Sequence, residues 1–251
     1  MKKQTILITG ATRGIGWALA QEAIRKKHKV ILTGRDPLAL KKRADILKKD
    51  FPNVEIQAIE LDISNRLSIQ KASQLITEID ILINNAGITA DSTFLKMTKG
   101  LDDVISTNLT GVFNVTHALI NKLNPGGQLI MMTSKSALFG NFGQTNYSAA
   151  KAGVIALTKT LAQELKKLNL RVNCVYPAAK TDMTLPILEK LEEHYGQELP
   201  KEWQLGSSSE VAHFIINDLI DRPETGKIFS VTALKLVIGQ TLYFINFDRK
   251  K

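Results

Sequence analysis

One cysteine, Cys174, is all that 251 residues contain, so no internal disulfide can form. Its setting, RVNCVYP, reads as a strand, and Cys174 as a small buried hydrophobe rather than a reactive thiol. No stretch approaches the roughly 18 consecutive apolar residues that a helix needs to span a bilayer, so no membrane-spanning helix is expected. The opening MKKQTILITGATRG has only a short apolar part, which runs into Gly10 and Arg13; it reads as a first strand, not as a signal peptide. The four histidines, His28, His117, His194 and His213, show no metal-ligand spacing, and no metal is expected. There is no long Gly/Ser/Pro linker and no internal repeat with a period of roughly 20–50 residues. Together these absences lead us to expect a soluble, cytoplasmic protein that folds as one domain over residues 1–251.

What is present supports a packed core: 44% of residues are hydrophobic and 23% are charged. The net charge is +9, which raises nucleic acid, a membrane surface or an acidic partner. The basic residues are scattered (RKKHK at 25–29, KKR at 41–43, KK at 48–49 and 166–167) and come with no RNP-like aromatic pattern or zinc spacing. They read as solvated helix faces, and neither nucleic acid nor a membrane is expected as a partner.

Short apolar runs alternate with longer helical patterns. Strands are expected at 5–9, 29–33, 55–61, 79–85, 127–133 and 170–176, with helices at about 14–27, 38–49, 65–76, 101–123 and 146–168. Near-continuous apolar strands between helices indicate a parallel sheet covered on both faces. Right-handed crossovers make this an α/β doubly wound, Rossmann-like sheet, whose ligands bind beyond the carboxyl ends of the strands. At the first such end stands TGATRGIG, with Gly10, Gly14 and Gly16 spaced G-x-x-x-G-x-G. Glycine there lets the backbone turn sharply and approach a pyrophosphate at a helix N-terminus.

A second pattern, NYSAAKAG at 146–153, places Lys151 one helical turn after Tyr147. A tyrosine of pKa about 10 is a poor base at neutral pH. A cation at i+4 faces it, and is expected to favour the phenolate and draw that value down.

These motifs resemble the short-chain dehydrogenase/reductase family. The family also carries N-N-A-G after its fourth strand, found here as Asn84–Gly87, and its catalytic Asn, Ser, Tyr and Lys match Asn108, Ser134, Tyr147 and Lys151. The match extends over residues 5–176. Within the family, NNAGITADSTFLKMT and GNFGQTNYSAAKAG most resemble 3-oxoacyl-acyl-carrier-protein reductases. The resemblance implies that Tyr147 passes a proton to a carbonyl oxygen while a nicotinamide supplies hydride. Ser134 would hydrogen-bond that oxygen, Lys151 would hold the nicotinamide ribose, and Asn108 would hold a water that relays protons to Lys151. Ser136 competes with Ser134 but reads as a loop residue by the family's spacing. Cofactor contacts are expected from Gly10, Thr12, Arg13, Gly14, Ile15 and Gly16, from Arg35, Asp62 and Ile63, from Asn85, Ala86 and Gly87, and from Tyr147, Lys151 and Thr181.

An acid after the second strand would accept from a ribose 2′-hydroxyl. Here Gly34 stands in that place, followed by Arg35, with Arg13 in the glycine turn. Two guanidiniums can clamp a 2′-phosphate, so the expected cofactor is NADP(H); the competing reading makes Arg35 a solvated loop residue and Asp36 merely a helix cap.

The chain departs from the family after the sixth strand. Pro177 is followed by Ala178 where the family has glycine, and the loop is short. The family's Asp-Gly-Gly ending is absent. ETGKIFSV at 224–231 reads as a seventh strand, residues 184–208 as a substrate lid, and 233–251 as an atypical C-terminal extension. The leading expectation is an NADPH-dependent reductase of 3-oxoacyl chains on an acidic acyl carrier protein. The others are a reductase of a small ketone, acyl-CoA or steroid, and an NADP-binding regulatory protein that has lost turnover. The long helices 101–123 and 146–168 are apolar on more than one face, and the family resemblance implies that they pack against partner subunits in a homodimer or homotetramer.

Overall fold

The computed structural model describes residues 3–98, 100–177, 179, 184, 185, 193 and 205–231. Seven strands form one parallel sheet: β1 (Thr5–Ile8), β2 (Lys29–Gly34), β3 (Ile56–Glu60), β4 (Ile79–Asn84), β5 (Leu123–Met132), β6 (Arg171–Pro177) and β7 (Ile228–Val231). Their order across the sheet is β3-β2-β1-β4-β5-β6-β7, so successive strands are added to one side of β1 and then, from β4 on, to the other. That switch of sides opens a crevice at the carboxyl ends of β1 and β4, where doubly wound folds bind ligands.

The helices are α1 (Gly14–Arg25), α2 (Pro37–Asp50), α3 (Arg66–Leu75), α4 (Gly100–Ile105), α5 (Val112–Leu119), α6 (Ser136–Phe139), α7 (Thr145–Glu164) and α8 (Ser208–Phe214). Several start where a side chain satisfies the free N–H groups of the first turn. Asp36 accepts from the Leu38 and Ala39 amides ahead of Pro37, as its sequence position implied, and Asn65 accepts from Leu67 and Ser68. Ser207 and Glu210 cap α8 reciprocally.

The central strands are apolar on both faces, and Ile6, Leu7, Ile8, Ile81, Leu82 and Ile83 are sealed from solvent. Alternate residues feed two cores. One packs β1 and β2 against α1, α2 and α8; the other packs the opposite face against α3, α5 and α7. Each such side chain contributes about 1.5–3 kcal/mol of burial. The sheet is therefore rigid where it carries the crevice. Cys174 lies in the second core, where burial pushes its thiol up to about 12, in line with an inert hydrophobe.

Two stretches differ from the sequence reading. Residues 124–127, NPGG, look like a break but belong to β5, which pairs Ile79 with Leu123 and then Ile81 with Gln128 across a shift in register. Asp80 holds this irregularity by accepting from the Asn124 side chain at 3.0 Å and from the Thr5 amide at 2.7 Å. The helix expected over 101–123 is α4 and α5 joined by a π-helical turn at Ser106–Gly111. Such turns insert an extra residue and re-aim the side chains on them. The strand at 224–231 is present as β7, paired parallel to β6. Most of 184–208 and all of 233–251 lie outside the described residues.

His28 connects the core to pH. It is buried just before β2, its Nδ1 accepts from the Gln4 amide at 3.2 Å, and its Nε2 has no partner. Burial lowers its pKa from the usual 6.5, against the pull of Asp221. The folded state therefore takes up its proton later than the unfolded state as pH falls. Stability should drop as pH passes below about 6.5, the unfolded value. Urea denaturation from pH 8 to pH 5 should show this drop, and His28→Gln should make it smaller; an unchanged profile in the variant would contradict the assignment.

Candidate active site

A cleft of about 480 Å³ runs along the carboxyl ends of β1, β2, β4, β5 and β6. Its walls hold Gly10, Thr12, Arg13, Gly14, Ile15, Arg35, Asp62, Ile63, Asn85, Ala86, Gly87, Ser134, Tyr147 and Lys151. Residues from distant parts of the sequence thus meet in one space. Gly16 and Asn108 stand behind the wall, and Thr181 lies outside the described residues.

The glycine turn is shaped by contact with the loop after β4. Gly10 adopts φ +67, and a Cβ there would meet Ala86 Cα at 3.0 Å. A Cβ on Gly16 would stand 2.1 Å from the Gly10 carbonyl oxygen, so helix and turn touch directly. Asn85 ties the two loops: its amide donates to the carbonyls of Thr9 at 2.9 Å and Gly10 at 3.2 Å. Thr9 answers by accepting from the Asn85 and Ala86 amides at 2.9 and 3.0 Å. The Ala11 amide donates to Thr33 at the end of β2, at 2.8 Å. A Cβ on Gly34 would lie 2.9 Å from the Thr12 methyl, a packing reason for glycine where an acid could have stood. A Cβ on Gly14 would meet nothing within 4 Å, and Gly14 itself lines the cleft. Such a turn, opening α1, fits a pyrophosphate. Asp62 accepts twice from Ser64, through its amide at 2.9 Å and its hydroxyl at 2.7 Å, which fixes the turn after β3.

At the other end, Ser134 follows β5 and Tyr147 and Lys151 rise from the first turns of α7. The Ser136 amide and hydroxyl both donate to Ser134 Oγ, at 3.2 and 3.0 Å. With two donors on that oxygen, the Ser134 proton points away from them, and Ser134 is bonded to Tyr147. Ser136 is therefore not the loop residue its position suggested; it is buried, opens α6 and orients Ser134.

Lys151 is 3% exposed, and its ammonium donates to the Met132 carbonyl at 2.9 Å and lies 5.8 Å from the Tyr147 ring centre. The Thr133 hydroxyl donates to the Lys151 carbonyl at 3.0 Å, which clamps α7 to the end of β5. Asn108, on the π-helical turn, accepts from the Ile88 amide at 2.9 Å and donates to the Ile88 carbonyl at 2.7 Å. A Cβ placed on Gly87 would lie 2.6 Å from Asn108 Oδ1 and 3.6 Å from Lys151 Nζ, so the two polar groups converge around that glycine.

The electrostatics correct one expectation. Burial pushes the Tyr147 phenol up to about 12; the bond with Ser134 draws it down, and the charge of Asp91 raises it further. Burial likewise pushes Lys151 down to about 8. Desolvation opposes both charged forms and outweighs the attraction that the i+4 spacing implied. In the protein alone, the neighbouring lysine does not make Tyr147 acidic.

Sequence reasoning passed over Asp91 and Gln144. The Gln144 amide donates to Asp91 at 2.8 Å, and the Ser92 amide to the Gly143 carbonyl, also at 2.8 Å. These bonds join the loops on either side of the cleft mouth. Neither residue carries a motif of its own; only their position in GITADS and GNFGQTNY, beside recognised motifs, marked them. Among the described residues no cluster of His, Cys, Asp or Glu is arranged for a metal, and no helix is long and apolar enough to cross a membrane.

The short chain dehydrogenase family matches residues 4–192. A 3-oxoacyl-acyl-carrier-protein reductase of Aquifex aeolicus is 38% identical over 84% of this chain and 87% of its own. An acetoacetyl-CoA reductase of an Acinetobacter species is 33% identical over 84% of this chain and 88% of its own. Among solved structures, L-sorbose reductase of Gluconobacter frateurii, complexed with NADPH and L-sorbose, has the same fold at 22% identity, with a TM-score of 0.83 over 95% of this chain and 98% of that one. The chain is an oxidoreductase of the short-chain dehydrogenase/reductase family, similar to 3-oxoacyl-acyl-carrier-protein reductases over most of its length.

Proposed function

We propose that this protein uses NADPH to reduce the ketone of a 3-oxoacyl chain carried on an acyl carrier protein. The observation that carries the reading is the convergence of Ser134, Tyr147 and Lys151 on one wall of a cleft that continues into the glycine turn. The relatives named for 3-oxoacyl-acyl-carrier-protein support the substrate. Arg13 and Arg35, both on the cleft wall, support the phosphorylated cofactor. The net charge of +9 suits an acidic carrier.

The proposed cofactor contacts are the expected residues that line the cleft, with Gly16 acting through Gly10 rather than at the surface. The nicotinamide supplies hydride when bound. This chain's residues govern the proton. Ser134, with its oxygen already taken by Ser136, donates to the substrate carbonyl. Tyr147, held protonated by burial, gives its proton to the developing alkoxide. Lys151, drawn down to about 8, exchanges a proton near neutral pH and restores the phenol. Asn108 positions the Ile88 segment beside Lys151. A homodimer or homotetramer built on the α4, α5 and α7 surfaces remains part of the reading, supported by exposed Leu101 and Phe113.

An acyl group on coenzyme A is the nearest competitor, favoured by the acetoacetyl-CoA reductase among the relatives. NADPH oxidation with carrier-bound, CoA-bound and free ketones separates the substrates, and the carrier-bound substrate should give the highest kcat/KM.

Tyr147→Phe should lower ketone reduction by about 100-fold or more; a rate near that of the parent enzyme would remove Tyr147 from the chemistry. Gly87→Ala should press on Asn108 and Lys151 and lower kcat by about tenfold or more, with little change in cofactor affinity. Unaltered turnover would show that this convergence has no catalytic weight. Arg35→Asp should raise KM for NADPH and lower it for NADH, and an unchanged ratio would refute the cofactor preference.

A further inference from the structure

Arg43 lies on α2, behind the cleft wall rather than in it. Nothing in the motif reading singled it out beyond a basic run on a solvated helix. The structure gives it a different place. Its Nε donates to the Thr12 carbonyl at 2.9 Å, and its guanidinium carbon lies 4.5 Å from the centre of the Trp17 ring on α1. Trp17 in turn packs against the core beneath α1. One side chain therefore fastens the glycine turn to two helices.

The fastened turn carries Arg13 and packs against the end of β2 that carries Arg35, the two arginines on the cleft wall. Thr12 precedes Arg13, and its methyl rests on Gly34, the residue before Arg35. The Arg13 carbonyl accepts the first helical bond of α1, from Trp17 at 3.1 Å, so the ring under Arg43 and the backbone of Arg13 belong to one hydrogen-bonded unit. A shift of the Arg43 guanidinium would move Thr12 and Arg13 together. Its guanidinium carbon sits over the indole while its Nε donates to a carbonyl, two contacts that a planar guanidinium can make together and a compact ammonium reproduces poorly. No carboxylate pairs with Arg43 among the described residues, so its charge adds to those of Arg13 and Arg35.

We propose that Arg43 is a positioning residue for cofactor selectivity: it holds Thr12 and Arg13 where they meet a 2′-phosphate, and it adds a third positive charge behind that site. This rests on the NADPH reading above. A purely structural staple would support both dinucleotides equally. A selectivity role acts on the phosphorylated one alone, because a 2′-phosphate brings negative charge that the 2′-hydroxyl lacks.

The test compares the full-length parent enzyme with Arg43→Gln, which removes charge and stacking, and Arg43→Lys, which restores charge only. Calorimetry with adenosine 2′,5′-bisphosphate and with 5′-AMP reads binding without turnover, and KM and kcat are measured with NADPH and NADH. The parent should bind the bisphosphate more tightly. Arg43→Gln should weaken bisphosphate binding and raise KM for NADPH about tenfold, change 5′-AMP and NADH by less than about twofold, and leave kcat at saturating NADPH within about twofold. Arg43→Lys should recover part of the loss. Equal weakening of both ligands, or no change in either variant, would overturn the proposal while leaving the NADPH reading in place if the parent still prefers NADPH. A parent without that preference would overturn both. If Arg43→Gln fails to fold, Arg43→Lys decides alone: an unchanged ratio of NADPH to NADH affinity would refute positioning by stack and hydrogen bond.

Discussion

The site depends on keeping a phenol and an ammonium out of water. Lys151 is enclosed in the wall of the cleft with one carbonyl, that of Met132, as its partner, and Tyr147 stands beside it without the ionisation that its neighbour's charge would favour in water. Desolvation penalises the charged form of each group, so the phenol is held neutral and the amine is brought towards neutral pH. A neutral phenol is the form that can donate a proton, and an amine near its own pKa is the form that can pass one on. The cost of burying these groups is borne by the sheet: β5 and α7 are fixed to each other by the Thr133 hydroxyl and by apolar packing on both sides.

The same economy of backbone contacts governs the opposite end of the cleft. The loop after β4 and the turn after β1 are joined through Asn85, Thr9 and the close approach of Gly10 to Ala86. The loop after β4 continues to Gly87 and Ile88, where Asn108 takes hold of it, and Asn108 stands on the π-helical turn between α4 and α5. One loop therefore spans the distance from the glycine turn to the wall that holds Tyr147 and Lys151. A strain placed at Gly87 reaches both polar groups behind it, whereas the central strands, sealed among aliphatic neighbours, do not yield.

Much of this was legible before any coordinates. Apolar runs of strand length between helical patterns placed the strands and their parallel arrangement, and the motifs Gly10–Gly16, Asn84–Gly87 and Tyr147–Lys151 each fell at the carboxyl end of a strand or the start of a helix that lines the cleft. Asp36 was recognisable as a cap because a cap is a local interaction. What escaped the sequence was non-local or depended on burial. The i+4 spacing of Tyr147 and Lys151 was right, but spacing alone carries no information on how much water the fold removes, and the sign of the net effect reversed. Ser136 looked like a loop residue because its partner is the side chain two positions back, not a periodic pattern. Arg43, His28 and the Asp91–Gln144 pair matter through contacts 31, 24 and 53 residues away in sequence, which no local window contains.

The central claim concerns the ionisation of one phenol, and ultraviolet difference titration measures it directly. The absorbance change near the phenolate band, taken as the difference between the parent protein and Tyr147→Phe, isolates Tyr147 from the other tyrosines. Without cofactor, the account predicts ionisation at about 12. With oxidised nicotinamide dinucleotide bound, its positive charge should draw that ionisation to lower pH. A Tyr147 that ionises at or below the ordinary tyrosine value of about 10 in the protein alone would contradict the account, since burial would not then be what holds the proton in place.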